Sequence, residues 1–246
     1  MTTPIEIGFG IGGDPGTALT LLTGTTAAAT AHELWFAAPA PGAPDPMALM
    51  SSGITIRLRS GPGDDLAVDL LPCSPPRLAG RWAAPFVDGD LEFRIEGAWR
   101  GMRRELAASA VSHRPAGAIR AAVDAGGDVT EILSPAQRQF LVSCTPPGVA
   151  VDHLRAVGPV VSTRWTGIRL AGTEVTAERW TGAGCDLLEV AARVVPVSGE
   201  PTWALCSRAQ ELQQRCLDAL RDRDLPTATV TDRTSHILRA LLAGDG

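Results

Sequence analysis

Residues 53–71 constrain the fold more than any other stretch of the chain. Ile54, Ile56 and Leu58 alternate with Thr55, Arg57 and Arg59; Gly61-Pro62-Gly63 follows; then Leu66, Val68 and Leu70 alternate with Ala67 and Asp69. A period of two is that of a strand with one buried face, and two such runs joined by a Gly/Pro turn predict a β-hairpin. The polar alternates of its first strand, Arg57 and Arg59, must then share one side of the sheet.

The same signal recurs along the chain. Leu91, Phe93 and Ile95 alternate with Glu92, Arg94 and Glu96, and strands are also predicted at Pro4–Phe9, His32–Phe36 and Glu105–Val111. The second half reads as a meander, Val160–Trp165, Ile168–Leu170, Thr173–Trp180 and Leu187–Val195, with Gly167, Gly172 and Thr181–Gly184 as punctuation. Helices are predicted at Thr17–Leu22, Ala116–Ala125, after the Ser134-Pro135 start signal, across Pro201–Leu220 and at Ser235–Leu242. The Pro- and Gly-rich segment Ala38–Pro46 can only be a loop.

The 246 residues, 45% hydrophobic, suffice for one large core. All 22 basic residues are arginine; lysine is absent. That excludes a lysine Schiff base, a pyridoxal-phosphate anchor and a Walker A lysine, so any anion must be held by arginine or backbone. A net charge of −5 offers no attraction to nucleic acid or to an anionic membrane, and neither is an expected partner. No apolar run reaches the roughly 20 residues of a spanning helix, and Met1–Glu6 lacks the character of a signal peptide, so the chain is expected in the cytoplasm. The five cysteines form no C-x-x-C pair, which disfavours zinc and a disulfide framework.

Charged strand faces occur in both halves: Arg57, Arg59, Glu92, Arg94 and Glu96, then Arg164, Arg169, Glu174, Glu178 and Glu189. An antiparallel sheet with a solvated face also carries mixed charge. A closed sheet would instead gather these groups inside, where arginine forks suit phosphate or carboxylate and clustered acids call for arginine or a hard divalent metal.

Gly53-Ile54-Thr55-Ile56-Arg57-Leu58-Arg59 and the order of elements around it resemble the CYTH, or triphosphate tunnel, superfamily. Ile5-Glu6-Ile7 stands where that family opens with Glu-x-Glu-x-Lys, His32-Glu33-Leu34-Trp35-Phe36 precedes a proline loop as the family's aromatic strand does, and Leu187-Leu188-Glu189-Val190 is similar to its late acidic strand. The resemblance implies an α+β fold, an antiparallel barrel-like tunnel with helices packed outside. Residues 1–200 would form the tunnel domain and 201–246 a C-terminal helical extension of it. It also implies an enzyme binding a small anionic metabolite, phosphorylated or not, with Arg57, Arg59, Arg94, Arg164, Arg169, Glu92 and Glu96 in the substrate site. Glu6, Glu178 and Glu189 would be catalytic and hold magnesium or manganese. Pro4 and Gly8 replace the first acid and the lysine of the opening motif, Asp69 stands where a strand lysine is expected, and Ala191 replaces a late acid. Those departures keep open a metal-independent cyclase or isomerase of an organic substrate, and a non-catalytic ligand-binding protein. Oligomeric state is not legible.

Gly8-Phe9-Gly10-Ile11-Gly12-Gly13 formally matches the dinucleotide fingerprint G-x-G-x-x-G, but Asp14-Pro15-Gly16 interrupts the helix that should begin at its third glycine, and hairpins follow where βαβ units should. The six tryptophans are expected mostly in the core; any that line a cavity would suit it to a ligand with an apolar body.

Overall fold

The computed structural model describes residues 2–23, 28–228 and 233–244. In chain order the elements are β1 (Ile5–Ile11), α1 (Pro15–Thr23), β2 (Ala28–Pro39), α2 (Ala48–Ser51), β3 (Ile54–Ser60), β4 (Asp64–Cys73), β5 (Phe86–Asp88), β6 (Leu91–Arg100) and β7 (Arg103–Arg114), followed by α3 (Ala118–Asp124), α4 (Pro135–Cys144), β8 (Leu154–Leu170), β9 (Thr173–Gly182), β10 (Cys185–Val194), α5 (Thr202–Arg221), β11 (Thr227–Ala228) and α6 (Arg233–Gly244).

Neighbouring strands run in the order β1-β10-β9-β8-β2-β3-β4-β7-β6, and β6 returns to β1, so these nine strands close into a barrel. The closing pair is parallel, from Ile5 opposite Gly97 to Gly8 opposite Arg100; the other wall pairings are antiparallel. The predicted hairpin is β3–β4, with Arg57 opposite Ala67 and Arg59 opposite Asp65. The two predicted strands Val160–Trp165 and Ile168–Leu170 are one long strand, β8, whose pairing with β9 shifts between Trp165 and Ile168. Gly167, at φ +76°, supplies the backbone freedom for that irregularity.

Apolar alternates face outward beneath helices. Ile54, Ile56, Leu58, Leu66, Val68 and Leu70 are each at most 1% exposed and share a core with Phe93, Phe140 and Trp82. Phe140 and Trp82 lie 4.9 Å apart between ring centroids. Helix α4 enters this core through a full capping box: Ser134 accepts from Gln137 N, while the Gln137 side chain accepts from Ser134 N. The Gln137 Nε2 then donates to the carbonyls of Leu66 and Ala110 at 2.6 and 3.0 Å, tying helix to sheet. On the other flank α5 sets Leu205, Ala209, Leu212, Cys216 and Leu220 against β1, β9 and β10 through Ile7, Val175 and Val190.

Helix α6 adds an arrangement the sequence did not indicate. Its Ile237 and Leu238 pack with Leu34, Phe36, Val160 and Trp180. Phe36 stands directly opposite Arg57, so these apolar residues belong to the inner face of the wall, the side opposite Trp35. Four tryptophans are buried, Trp35, Trp82, Trp99 and Trp180, whereas Trp203 is 73% exposed. Among the described residues no helix is long and apolar enough to cross a membrane.

Candidate functional site: an arginine-walled tunnel

Closing the sheet turns every second side chain inward and leaves a cavity of about 430 Å³. Its lining carries eight arginines, Arg57, Arg59, Arg94, Arg100, Arg103, Arg164, Arg193 and Arg233, against seven carboxylates, Glu6, Asp65, Asp69, Glu96, Glu105, Glu178 and Glu189. Phe36, Met50, Leu71 and Trp180 give part of the wall an apolar surface.

On β3 the two arginines are placed for a ligand. The Arg57 Nε is buried and has no hydrogen-bond partner, nor does any ion pair engage its guanidinium among the described residues. Burial disfavours the charge of Arg57, yet Asp69, Asp65 and Glu178 around it outweigh burial and raise its pKa, so it stays a cation. Two residues on, Arg59 pairs with Asp65 while its own Nε and the Asp65 Oδ1 remain buried without a partner. Asp69 accepts from Ser109 Oγ at 2.5 Å. Buried donors of this kind are costly to leave unmade, and an acceptor arriving in the cavity would satisfy them.

The acids gather on the opposite part of the wall. Glu189 on β10 stands directly opposite Glu178 on β9, and opposite Gly10 on β1, the strand that carries Glu6. Each acid already has an arginine. Arg100 Nη2 lies 2.9 Å from Glu6 Oε1 and 3.4 Å from Glu189 Oε1. Glu178 uses both oxygens: Oε1 accepts from Ser162 Oγ at 2.6 Å and Trp180 Nε1 at 2.9 Å, and Oε2 accepts from Arg233 Nη2 at 2.9 Å. Burial by itself would raise the pKa of Glu178; Arg233 and these hydrogen bonds prevail and hold its carboxyl well below the usual carboxylate range.

Of the candidates named from sequence, Glu6, Glu178, Glu189, Arg57, Arg59, Arg94, Arg164 and Glu96 line the cavity. Glu92 and Arg169 are not part of its lining. Glu92 is engaged by Arg94, whose Nε donates to Oε1 at 2.6 Å. Arg169 lies beyond the β8 irregularity, opposite Glu174, and donates to the Gly172 carbonyl at 3.3 Å. Magnesium or manganese does not fit Glu6, Glu178 and Glu189 as they stand. Each already pairs with an arginine, and among the described residues no group of three His, Cys, Asp or Glu side chains could hold a metal ion.

Sequence reasoning missed Arg100, Arg193, Arg233, Asp65 and Asp69 as lining groups. Arg100 continues the alternation of Arg94 and Glu96 and was legible there. Arg193 follows Glu189 on the same face in the same way; what was not legible is its partner Glu96, 2.6 Å away, which sits on β6 on the far side of β1. Arg233 opens a helix at the end of the chain and carries no strand signal.

No protein-family model matches the sequence, and no curated protein matches it. Solved structures do. A candidate adenylyl cyclase from Hippeastrum, HpAC1, described as revealing a dominant triphosphatase activity, superposes with a TM-score of 0.57 at 13% identity, over 97% of this chain and 96% of that one. A candidate adenylate cyclase from Bacillus halodurans does so with a TM-score of 0.52 at 11% identity, over 96% and 97%. At such identities the likeness is one of fold, and the closed barrel with its charged interior has the fold of the CYTH, or triphosphate tunnel, proteins.

Proposed function

We propose that the tunnel binds and acts on a small organic anion, a phosphate ester or a carboxylate, gripped by the arginines of β3. The observation that carries this reading is Arg57: a charged guanidinium on the cavity wall whose Nε is buried without a hydrogen-bond partner and which, among the described residues, makes no ion pair. A guanidinium presents a fork of donors matched to a two-oxygen acceptor, and Arg59 and Arg164 stand on the same lining. Met50 and Leu71, partly exposed on the same lining, would receive the apolar body of the ligand. Fixed charges around a bound anion favour steps in which its charge moves, such as cyclisation, isomerisation or loss of phosphate.

A second reading, hydrolysis of a triphosphate, is favoured by the triphosphatase activity of the Hippeastrum neighbour and by the shared barrel. The two part in a thermal-shift series on the purified chain. The series uses phosphate monoesters, aromatic carboxylates, inorganic triphosphate and nucleoside triphosphates, each with and without magnesium or manganese, followed by phosphate-release and product assays on every ligand that stabilises. The organic-anion reading expects metal-independent stabilisation that Arg57→Met abolishes. Metal-dependent stabilisation by triphosphate with phosphate release would establish the second reading instead, and no response to any anion would overturn both.

A further inference from the structure

The relation of Arg100 to the acidic corner carries an inference about which ions this tunnel accepts. Arg100 is the last residue of β6, and its guanidinium does not stay with its own strand. It passes over β1 at Gly8 and ends between Glu6 and Glu189, on β1 and β10. Gly8 makes that passage available: a Cβ there would stand 2.5 Å from Arg100 Nε and 2.7 Å from both Cδ and Cζ. The φ of Gly8 is one that any residue can adopt, so the backbone does not require glycine; the space does.

We propose that Arg100 is a built-in cation that takes the place of a divalent metal in the acidic corner, that Gly8 is the residue that admits it, and that the tunnel therefore takes its anion free of metal. The guanidinium meets two carboxylates at once and is itself only 26% exposed in its side chain. A divalent cation would compete for the same carboxylate oxygens, and here Arg100 already pairs with one oxygen each of Glu6 and Glu189 while Arg233 pairs with Glu178. With eight arginines facing seven carboxylates, the lining leaves little net positive charge. That suits an anion of low charge, whereas a polyphosphate would need metal counter-charge to enter. The ligand class rests on the anion reading above; the role of Arg100 does not.

The probe is Mn²⁺ alone, titrated into wild type, Arg100→Met, Gly8→Ala and the double variant Arg100→Met/Glu189→Gln, with bound metal read by electron paramagnetic resonance and folding checked by circular dichroism. Wild type is expected to show no saturable site. Arg100→Met frees two carboxylates and gains one saturable site that wild type lacks, and Glu189→Gln removes that gain. Gly8→Ala, which displaces the guanidinium while keeping its charge, gives a smaller gain and serves as the reporter if Arg100→Met fails to fold. A saturable Mn²⁺ site in wild type, or folded Arg100→Met and Gly8→Ala proteins that bind Mn²⁺ no better than wild type, would overturn the proposal. Because no anion is present, failure of this titration is distinct from failure of the ligand series, which alone judges the anion reading.

Discussion

Arg233 Nη2 donates to Glu178 Oε2 across 2.9 Å, and this bond fastens the first residue of α6 to the inner face of β9. The same guanidinium lies 3.8 Å from the centroid of Trp180, the residue whose Nε1 donates back to Glu178. One carboxylate, one arginine and one indole thus form a closed set that orders the cavity wall and holds the helix against it.

Removing one member of that set leaves a charge without its partner. Glu178→Gln is expected to lower stability by about 3 kcal/mol, at the lower end for a broken buried pair because the cavity admits water, and so to lower Tm by roughly 5–10 °C. Thermal unfolding followed by circular dichroism checks it; an unchanged Tm would show that the pair does not hold α6.

The pH dependence follows from the direction of the same shift. The folded pKa of Glu178 is depressed below its ordinary value of 4.5. Its contribution is therefore complete above the unfolded pKa and is lost as pH falls below that value toward the folded one. Wild type should lose stability progressively below about pH 4.5, and Glu178→Gln should show a shallower loss over the same range. Parallel acid titrations of Tm for the two proteins decide the matter.

Arg57 serves both stability and ligand recognition. Asp69, Asp65 and Glu178 around it outweigh the cost of burial, so Arg57→Met leaves these acids without its counter-charge and is expected to lower the Tm of the free protein by a few degrees. The same substitution should abolish stabilisation by anions. A variant that loses stability while retaining the anion response would place the binding determinant elsewhere on the wall.

Gln137 is wholly buried and spends its side chain on a helix cap and two sheet carbonyls. Gln137→Ala removes these bonds and leaves the carbonyls of Leu66 and Ala110 without this donor, with an expected cost of about 2–4 kcal/mol. Urea unfolding monitored by tryptophan fluorescence should show a lower midpoint.

The cysteines should separate by burial. Burial pushes the Cys144 and Cys216 thiols up to about 11 and raises Cys73 as well, while Cys185 and Cys206 are partly accessible. At pH 8 a thiol reagent is expected to modify Cys185 and Cys206 in the folded protein and the other three only on unfolding, as mass spectrometry of labelled peptides would record.

Much of this architecture was legible one strand at a time. Ile54, Ile56 and Leu58 against Thr55, Arg57 and Arg59 specify both a strand and its two faces, because successive side chains must point to opposite sides whatever the rest of the chain does. Ser134, Pro135 and Gln137 specify a helix start for an equally local reason: the cap satisfies donors within one turn. What lies within a few residues is decided by backbone geometry, and sequence therefore determined the nine wall strands (though not the short β5 and β11), most of the helices and which arginines share a face.

Closure and partnership were decided elsewhere. The parallel pairing of β1 with β6 joins residues more than 90 positions apart, and no periodicity announces it. That pairing sets Arg100 beside Gly8, carries its charge to Glu6 and Glu189, and leaves those acids engaged by arginine where the family resemblance implied a metal. It also sets β1 between β6 and β10, so Arg193 reaches Glu96 across it. An alternating strand specifies that a charge faces inward; only the closed barrel specifies which opposite charge meets it there, because electrostatic partners are chosen by distance in space.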